Sequence, residues 1–327
     1  MIEANLIYGM LTMPSNMFYS VTLPATLWFF DKGKTDERIL FIDARNIFTQ
    51  IDRAHREFSD EQVANIAIIS QLHKDRRERF LALVDHYFAQ GIASLHAHQA
   101  SIEALCAQLF EALEDKAARK TVTDLKKQWA GLATLEERYA GYLTFCSSPA
   151  KRQKDPVEAH NTAQHQLRAA FTPFFTVLHA DLKALDKTLR QHEKQLADAA
   201  QLEGKRASAD RKTKVLKTAL EALHTEVKES EVWFSHIQWL QERFPKAQYE
   251  DVTGLCKLAT RVEVAEQDWS LNPGRYVGVV IEEDGKSEEE FITGLLEMND
   301  ELSRLNREAR ALEEVVAGNV MLLAGEE

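Results

Sequence analysis

In the first fifty residues apolar positions gather in short, nearly unbroken runs, and after them they become periodic. Residues 6–13 form a short apolar run that ends at Pro14. Residues 25–30 (ATLWFF) and 38–43 (RILFID) are rich in aromatic and β-branched side chains, and the polar stretch DKGKTDE, with Gly33, separates them. Two such runs around a glycine-containing polar turn predict a β-hairpin. Near-continuous apolar character is what a sheet covered on both faces requires, and a lone hairpin is marginal in water. This segment is therefore expected to dock on something larger, as though the chain entered in the middle of a sheet domain.

From Phe58 onward the period becomes helical. Ser59 stands before Asp60, Glu61 and Gln62, an N-cap and an acidic first turn, and Val63, Ile66 and Ile69 follow at helical spacing. Further helices are expected over residues 76–89, 92–113 and 125–145, and the two prolines of residues 147–156 (SSPAKRQKDP) break the run. Leu178, Leu182, Leu185 and Leu189 then step by 4, 3 and 4, with Leu196 prolonging the stripe. A turn is expected at Gly204, after which Leu216, Leu220, Leu223 and Val227 repeat the spacing. Two such stripes around a short turn predict an antiparallel coiled-coil hairpin, and Trp233, Ile237 and Leu240 carry its apolar face on toward Pro245.

A last helix is expected over residues 287–320. Phe291, Leu295, Met298, Leu302, Leu305, Ala309, Leu312 and Val316 alternate by 4 and 3. A seam of that length needs a partner helix and reads as an interaction surface. Just before it stands DWSLNPGRYVGVVIEEDGKSEEEF, residues 268–291. Pro273 and Gly274 predict a turn, proline setting φ and glycine admitting positive φ. Residues 276–281 read as a short strand, and Ser287 before three glutamates reads as a capped helix start.

Composition narrows the class. The chain has 327 residues, 45% of them hydrophobic and 28% charged, which suits ordinary core-forming domains. Its net charge of −11 excludes a general polyanion binder, so contact with nucleic acid needs a local basic patch or a basic partner. Cys106, Cys146 and Cys256 are too few and too scattered for a disulfide framework. The opening MIEANLIYGM lacks the features of a signal peptide, and no run approaches the ~20 apolar residues that span a bilayer. A cytoplasmic setting without membrane contact is expected.

Self-contained catalytic motifs are missing. There is no GxGxxG, no GxxxxGK[ST], no HExxH and no GxSxG. His96 and His98, two apart, fall on different faces of a helix and make a poor metal pair, and His192 reads as a solvated position. No metal site is predicted. Basic clusters occur at residues 74–79 (KDRRER), 151–154 (KRQK) and 205–217 (KRASADRKTKVLK), and each reads first as a solvated face or loop. The third sits at the tip of the predicted helical hairpin. This makes Lys205, Arg206, Arg211 and Lys212 the candidates for contact with a DNA backbone.

Two stretches carry a more specific signal. Residues 13–34 (MPSNMFYSVTLPATLWFFDKGK) with 38–46 (RILFIDARN), and residues 252–279 (VTGLCKLATRVEVAEQDWSLNPGRYVGV), stand in the same order as two motifs of a known family. The chain resembles the modification subunit of type I restriction–modification systems, an adenine-specific N6 DNA methyltransferase. The resemblance implies S-adenosylmethionine as methyl donor of the intact enzyme, assembly with a specificity subunit and a restriction subunit, and DNA in the assembled complex. The fold it implies is mainly α with a small β part: the terminal strands of a Rossmann-like methyltransferase sheet, then a long helical and coiled-coil region. Residues 1–57 would end the catalytic domain, 58–250 form the helical region, 251–286 the C-terminal signature, and 287–327 the assembly helix that meets the specificity subunit.

The departure from the family pattern is as informative. The glycine motif for the donor and the Asn/Asp-Pro-Pro-Tyr/Phe catalytic motif do not occur in these residues, and Asn272-Pro273-Gly274 lacks the second proline and the aromatic. The expectation is a C-terminal portion that needs the N-terminal part of the methyltransferase as a partner, binds no donor alone and holds no catalytic residue of its own. The resemblance assigns one site role: Phe18, or else Tyr19, as the aromatic that stacks on the flipped target base. Two other readings stay open, a non-enzymatic coiled-coil adaptor and a helical DNA-binding protein.

Overall fold

The computed structural model describes residues 1–113, 115–147, 155–202 and 211–280, with single positions between 292 and 316. It divides into two units, Met1–Gly278 and Val279–Glu327. The first unit is mainly helical with a small mixed sheet. Its strands are β1 (Ile7–Thr12), β2 (Thr26–Phe30), β3 (Ile39–Asp43), β4 (Thr49–Gln50), β5 (Arg56–Glu57) and β6 (Cys256–Ala259). Four of them form one sheet in the order β2-β1-β3-β6, while β4 and β5 pair as a separate hairpin.

The predicted hairpin of residues 25–30 and 38–43 does not form. Both segments are strands, but β1 lies between them, antiparallel to β2 and parallel to β3. The connection between β2 and β3 is long enough to pass one strand. Lys34 ties it to the strand it passes, its Nζ donating to the Ile7 carbonyl at 2.8 Å and to Asn5 Oδ1 at 3.0 Å. Burial also separates the two segments. β3 is buried at all five positions, as its unbroken apolar run requires, whereas β2 is exposed at all five. A β-bulge sets the start of β1: Ile7 faces Phe30 and Gly9 faces Phe29, leaving Tyr8 as the extra residue. The Tyr8 hydroxyl lies 2.9 Å from Ser70 Oγ and 3.1 Å from His73 Nδ1.

Alternation along the strands divides the core. Leu11, Leu40 and Ile42 face the helices, and Ile7, Met10, Ile39 and Phe41 pack on the other side with Ala259, Val264 and Tyr276. The helices are α1 (Asp60–His73), α2 (Arg77–Ala112), α3 (Lys116–Ala130), α4 (Leu132–Ser147), α5 (Pro156–Leu202), α6 (Arg211–Arg243) and α7 (Arg261–Glu266). Ser59 caps α1 in a capping box with Gln62, as the sequence predicts, and Ile66 and Ile69 are buried while Val63 is exposed. The helices expected at 76–89 and 92–113 are one, α2, because Gly91 continues it. That glycine gives room to Phe234, whose ring would come within 2.8 Å of an added Cβ. The helix expected at 125–145 is two, α3 and α4, which meet at Gly131.

Leu178, Leu182, Leu185, Leu189, Leu220, Leu223 and Val227 are all buried. They pack in a multi-helix core, with α2 against α6 and α3 against α5, and not in a private two-helix seam. The turn at Gly204 lies outside the described residues, as do the side chains of Leu196 and Leu216. A polar cluster joins three helices: Gln164 Nε2 donates to Asp85 Oδ1 at 2.7 Å, His160 Nε2 lies 3.1 Å from Asp85 Oδ2, and the Tyr142 hydroxyl bonds Asp85.

The end of the first unit returns to the sheet. β6 pairs antiparallel with β3, α7 starts from a capping box of Thr260 and Glu263, and Pro273–Arg275 make one 3-10 turn. Residues 276–280 carry no strand. Tyr276 and Val277 are buried instead, the Tyr276 ring stacking on Phe41 at 3.9 Å and the Val277 carbonyl accepting from Gly254 N, while Val279 and Val280 are exposed. The positive φ expected at Gly274 stands at Gly278, at 75°. Gly274 matters for space, since a Cβ there would lie 2.8 Å from Arg45 Nη2.

In the second unit the described positions between 292 and 316 are helical. Leu295, Met298, Leu302, Leu305, Leu312 and Val316, members of the predicted stripe, are all exposed. Ser287 and Phe291 lie outside the described residues. Among the described residues no helix is long and apolar enough to cross a membrane.

Candidate functional site

The chain leaves β1 into a loop at the carboxyl ends of two parallel strands, the position where open α/β sheets place their ligands. The loop closes on itself, since Met13 N donates to the Ala25 carbonyl at 2.8 Å. Asn16 adopts a left-handed φ of 62°, which asparagine tolerates better than most residues. Phe18 to Val21 then make a tight turn, closed by a 3.3 Å bond from Val21 N to the Phe18 carbonyl, with Tyr19 and Ser20 at its tip. Phe18 is 48% exposed and Tyr19 94%. Both candidate stacking residues therefore stand on the surface of one turn, with Tyr19 the more available.

The hairpin β4–β5 holds this turn from the side. The Tyr19 and His55 rings lie 4.6 Å apart. Arg56 N donates to the Asn16 carbonyl at 2.9 Å and Arg56 Nη1 to Ser15 Oγ at 3.0 Å, while the guanidinium sits 4.0 Å over the Phe48 ring. Asp52 shapes the hairpin turn. Its Oδ1 accepts from Ala54 N at 2.7 Å and His55 N at 2.9 Å, and its Oδ2 lies 2.7 Å from His55 Nδ1. The bond from His55 holds the Asp52 carboxyl below its ordinary pKa. Reading the sequence alone misses Asp52, Arg53, His55 and Arg56. The available signal was an aspartate opening a short polar turn between two strand-like pieces, TQI and REF.

At the end of β3, Arg45 forms a two-pronged pair with Asp43, with Nη2 2.6 Å from Oδ2. That pair keeps the buried Asp43 carboxylate satisfied and brings the Gly274 turn against the sheet. The chain's two signature stretches thus meet in space. Lys205 and Arg206 lie outside the described residues, and Arg211 and Lys212 open α6 with their side chains outside them. His96 and His98 pair separately, with Glu136 and Glu226. Among the described residues no group of His, Cys, Asp and Glu is arranged to hold a metal ion.

A cavity of about 410 Å³ lies between the sheet and α1, lined by Leu27, Phe29 and Val63 among other apolar side chains, with Tyr8, Ser70 and Gln71 as its polar groups. The lining does not fit S-adenosylmethionine. It holds no carboxylate for a ribose and no glycine-rich turn, and the Tyr8 hydroxyl is engaged by Ser70 and His73. Burial also raises the Tyr8 pKa. The cavity marks a part of the sheet face that α1 does not cover.

Comparison with known proteins follows the same residues. Residues 1–90 match the family described as N-6 DNA Methylase. A 68-residue stretch is 40% identical to the Type I restriction enzyme MjaIX methylase subunit of Methanocaldococcus jannaschii, covering 20% of this chain and 12% of that protein. A 67-residue stretch is 37% identical to the Type I restriction enzyme HindI methylase subunit of Haemophilus influenzae, covering 20% of this chain and 15% of that one. The matched segments thus span well under a quarter of either relative. No solved structure matches the chain. Over residues 1–90 the chain is thus similar to the N-6 DNA methylase family and to part of the methylase subunits of type I restriction enzymes.

Proposed function

We propose that the chain supplies the end of the catalytic sheet and the assembly helices of a type I restriction–modification methyltransferase subunit, which transfers a methyl group to adenine N6 in DNA. The observation that carries this reading is β2. It is an edge strand of aromatic and apolar residues, yet Leu27, Trp28, Phe29 and Phe30 are all at least 41% exposed. A sheet edge that is apolar on both faces fits one that a further strand and its covering helices complete. The family match at residues 1–90 supports a methyltransferase sheet as that completion. The missing donor and catalytic motifs support the view that methyl transfer requires a segment carrying them, so this chain alone binds no donor and turns nothing over.

In this reading Phe18 or Tyr19 stacks on the target adenine, and the exposed stripe of the second unit meets the specificity subunit, with the restriction subunit joining the assembly. The cytoplasm is the setting this assembly implies. Isothermal titration of the purified chain with S-adenosylmethionine should show no binding. Co-expression with a segment carrying the donor-binding and Asn-Pro-Pro-Phe-type motifs should yield a complex that forms N6-methyladenine in DNA. Micromolar donor binding by the chain alone, or failure of every such complex to methylate, would sink the reading.

A further inference from the structure

The hairpin β4–β5 contributes none of the buried apolar residues of the core, and its tip is exposed. A two-stranded hairpin of this size does not hold its shape unaided. Its tertiary attachments go to the loop that carries Phe18 and Tyr19, apart from a 3.4 Å bond from Thr49 Oγ1 to Gln62 Oε1 at the start of α1. Asp52 spends its carboxylate on His55 and two backbone N–H groups, which fixes the imidazole beside Tyr19. Between Asp52 and Ala54 stands Arg53, exposed and without an ion-pair partner among the described residues.

We propose that this hairpin is a nucleic-acid brace: His55 and Arg56 set the Tyr19 turn for stacking on an unpaired base, and Arg53 takes a phosphate next to that base. The proposal rests on the reading of this turn as the base-stacking element. A guanidinium free of carboxylate partners is suited to a phosphate, which it meets with two parallel N–H donors. An aromatic ring held on a short turn offers a base a face at little cost in conformational entropy, and such stacking tolerates any base. His55 is a positioning residue, since it acts through Tyr19.

The test titrates the full chain with a short single-stranded DNA that carries 2-aminopurine at its centre. Anisotropy reports binding, and 2-aminopurine emission reports stacking. The wild-type chain should bind and quench the emission. Tyr19→Ala should abolish the quenching. Arg53→Gln should lower the slope of log K against log salt by about 0.7, one phosphate on a single strand, and leave the quenching in place. His55→Ala should lose most of the quenching at unchanged salt slope, and His55→Phe, which keeps a ring against Tyr19, should restore it. Unchanged unfolding transitions show that each variant is folded. No binding by the wild-type chain, or wild-type slope and quenching in both the Arg53 and His55 variants, overturns the brace. Methylation by the co-expressed complex separates the two ideas. A complex that methylates equally well with Arg53→Gln and His55→Ala overturns the brace and leaves the enzyme reading standing. Oligonucleotide binding that follows the expected pattern supports the brace even where no complex methylates.

Discussion

Gly91 shows how one residue can decide the course of a helix. Its hydrogen leaves room for Phe234, and that ring cannot retreat, because it stacks on Phe171 at 4.5 Å and packs against Phe175 at 5.1 Å. Gly91→Ala should therefore destabilise the fold by about 1–3 kcal/mol, the range for overpacking, although alanine is the better helix former. Urea denaturation measures this, and a gain in stability would show that Phe234 yields. A second residue-scale effect concerns pH. Asn65 Nδ2 lies 3.0 Å from His236 Nδ1, and the Tyr87 hydroxyl donates to Asn65 Oδ1 at 3.0 Å. Burial lowers the pKa of His236, and of His73, below the ordinary 6.5. The unfolded chain therefore binds more protons below that value, so stability is full above it and falls as pH drops through it. Denaturation midpoints should be lower at pH 5.5 than at pH 7.5, with a smaller difference in His236→Gln.

At the scale of elements, caps and edges are read most directly. The Ser59 and Thr260 capping boxes each satisfy two backbone groups that the helix start would otherwise leave open. Ser59→Ala should cost about 1 kcal/mol, read from the chemical denaturation midpoint. The Thr260 cap works beside a Lys257–Glu263 ion pair of 2.7 Å, and Lys257 holds the Glu263 carboxyl down at about 2. Strand burial is harder to read. β2 and β3 look alike in sequence, yet one is an open edge and the other lies between two neighbours. The difference comes from β1, which takes the place between them.

For the molecule as a whole, the largest consequence is that the far end of the first unit closes the sheet begun at its start. Phe41, fully buried, is covered on one face by Tyr276, and Ile39 and Leu40 pair with Ala259 and Leu258. A chain truncated after Arg243 should lose cooperative unfolding of the sheet, although α1 to α6 remain. Tyr276→Ala in the full chain should cost about 3 kcal/mol, since it uncovers a large buried aromatic. Hydrogen exchange at β3 measures both, and undisturbed protection in the truncated chain would contradict the closure described above.

Much of this was legible in the residues themselves. The apolar runs at 25–30 and 38–43, the Ser59 cap and the leucine stripes of α5 and α6 follow from local rules of periodicity and capping, which act within a few residues. The two signature stretches carried the family resemblance for the same reason, because each is a contiguous set of side chains. What local rules do not contain is the partner. That β1 separates β2 from β3, that residues 256–259 pair with β3, that Phe234 needs Gly91, and that His55 lies on Tyr19 all depend on contacts between residues far apart in the chain. The sequence by itself determined which segments are apolar, which of them are helical, and where the Ser59 cap starts α1. Only the tertiary structure decided which segments meet, because several pairings satisfy the same apolar pattern and long-range packing selects among them.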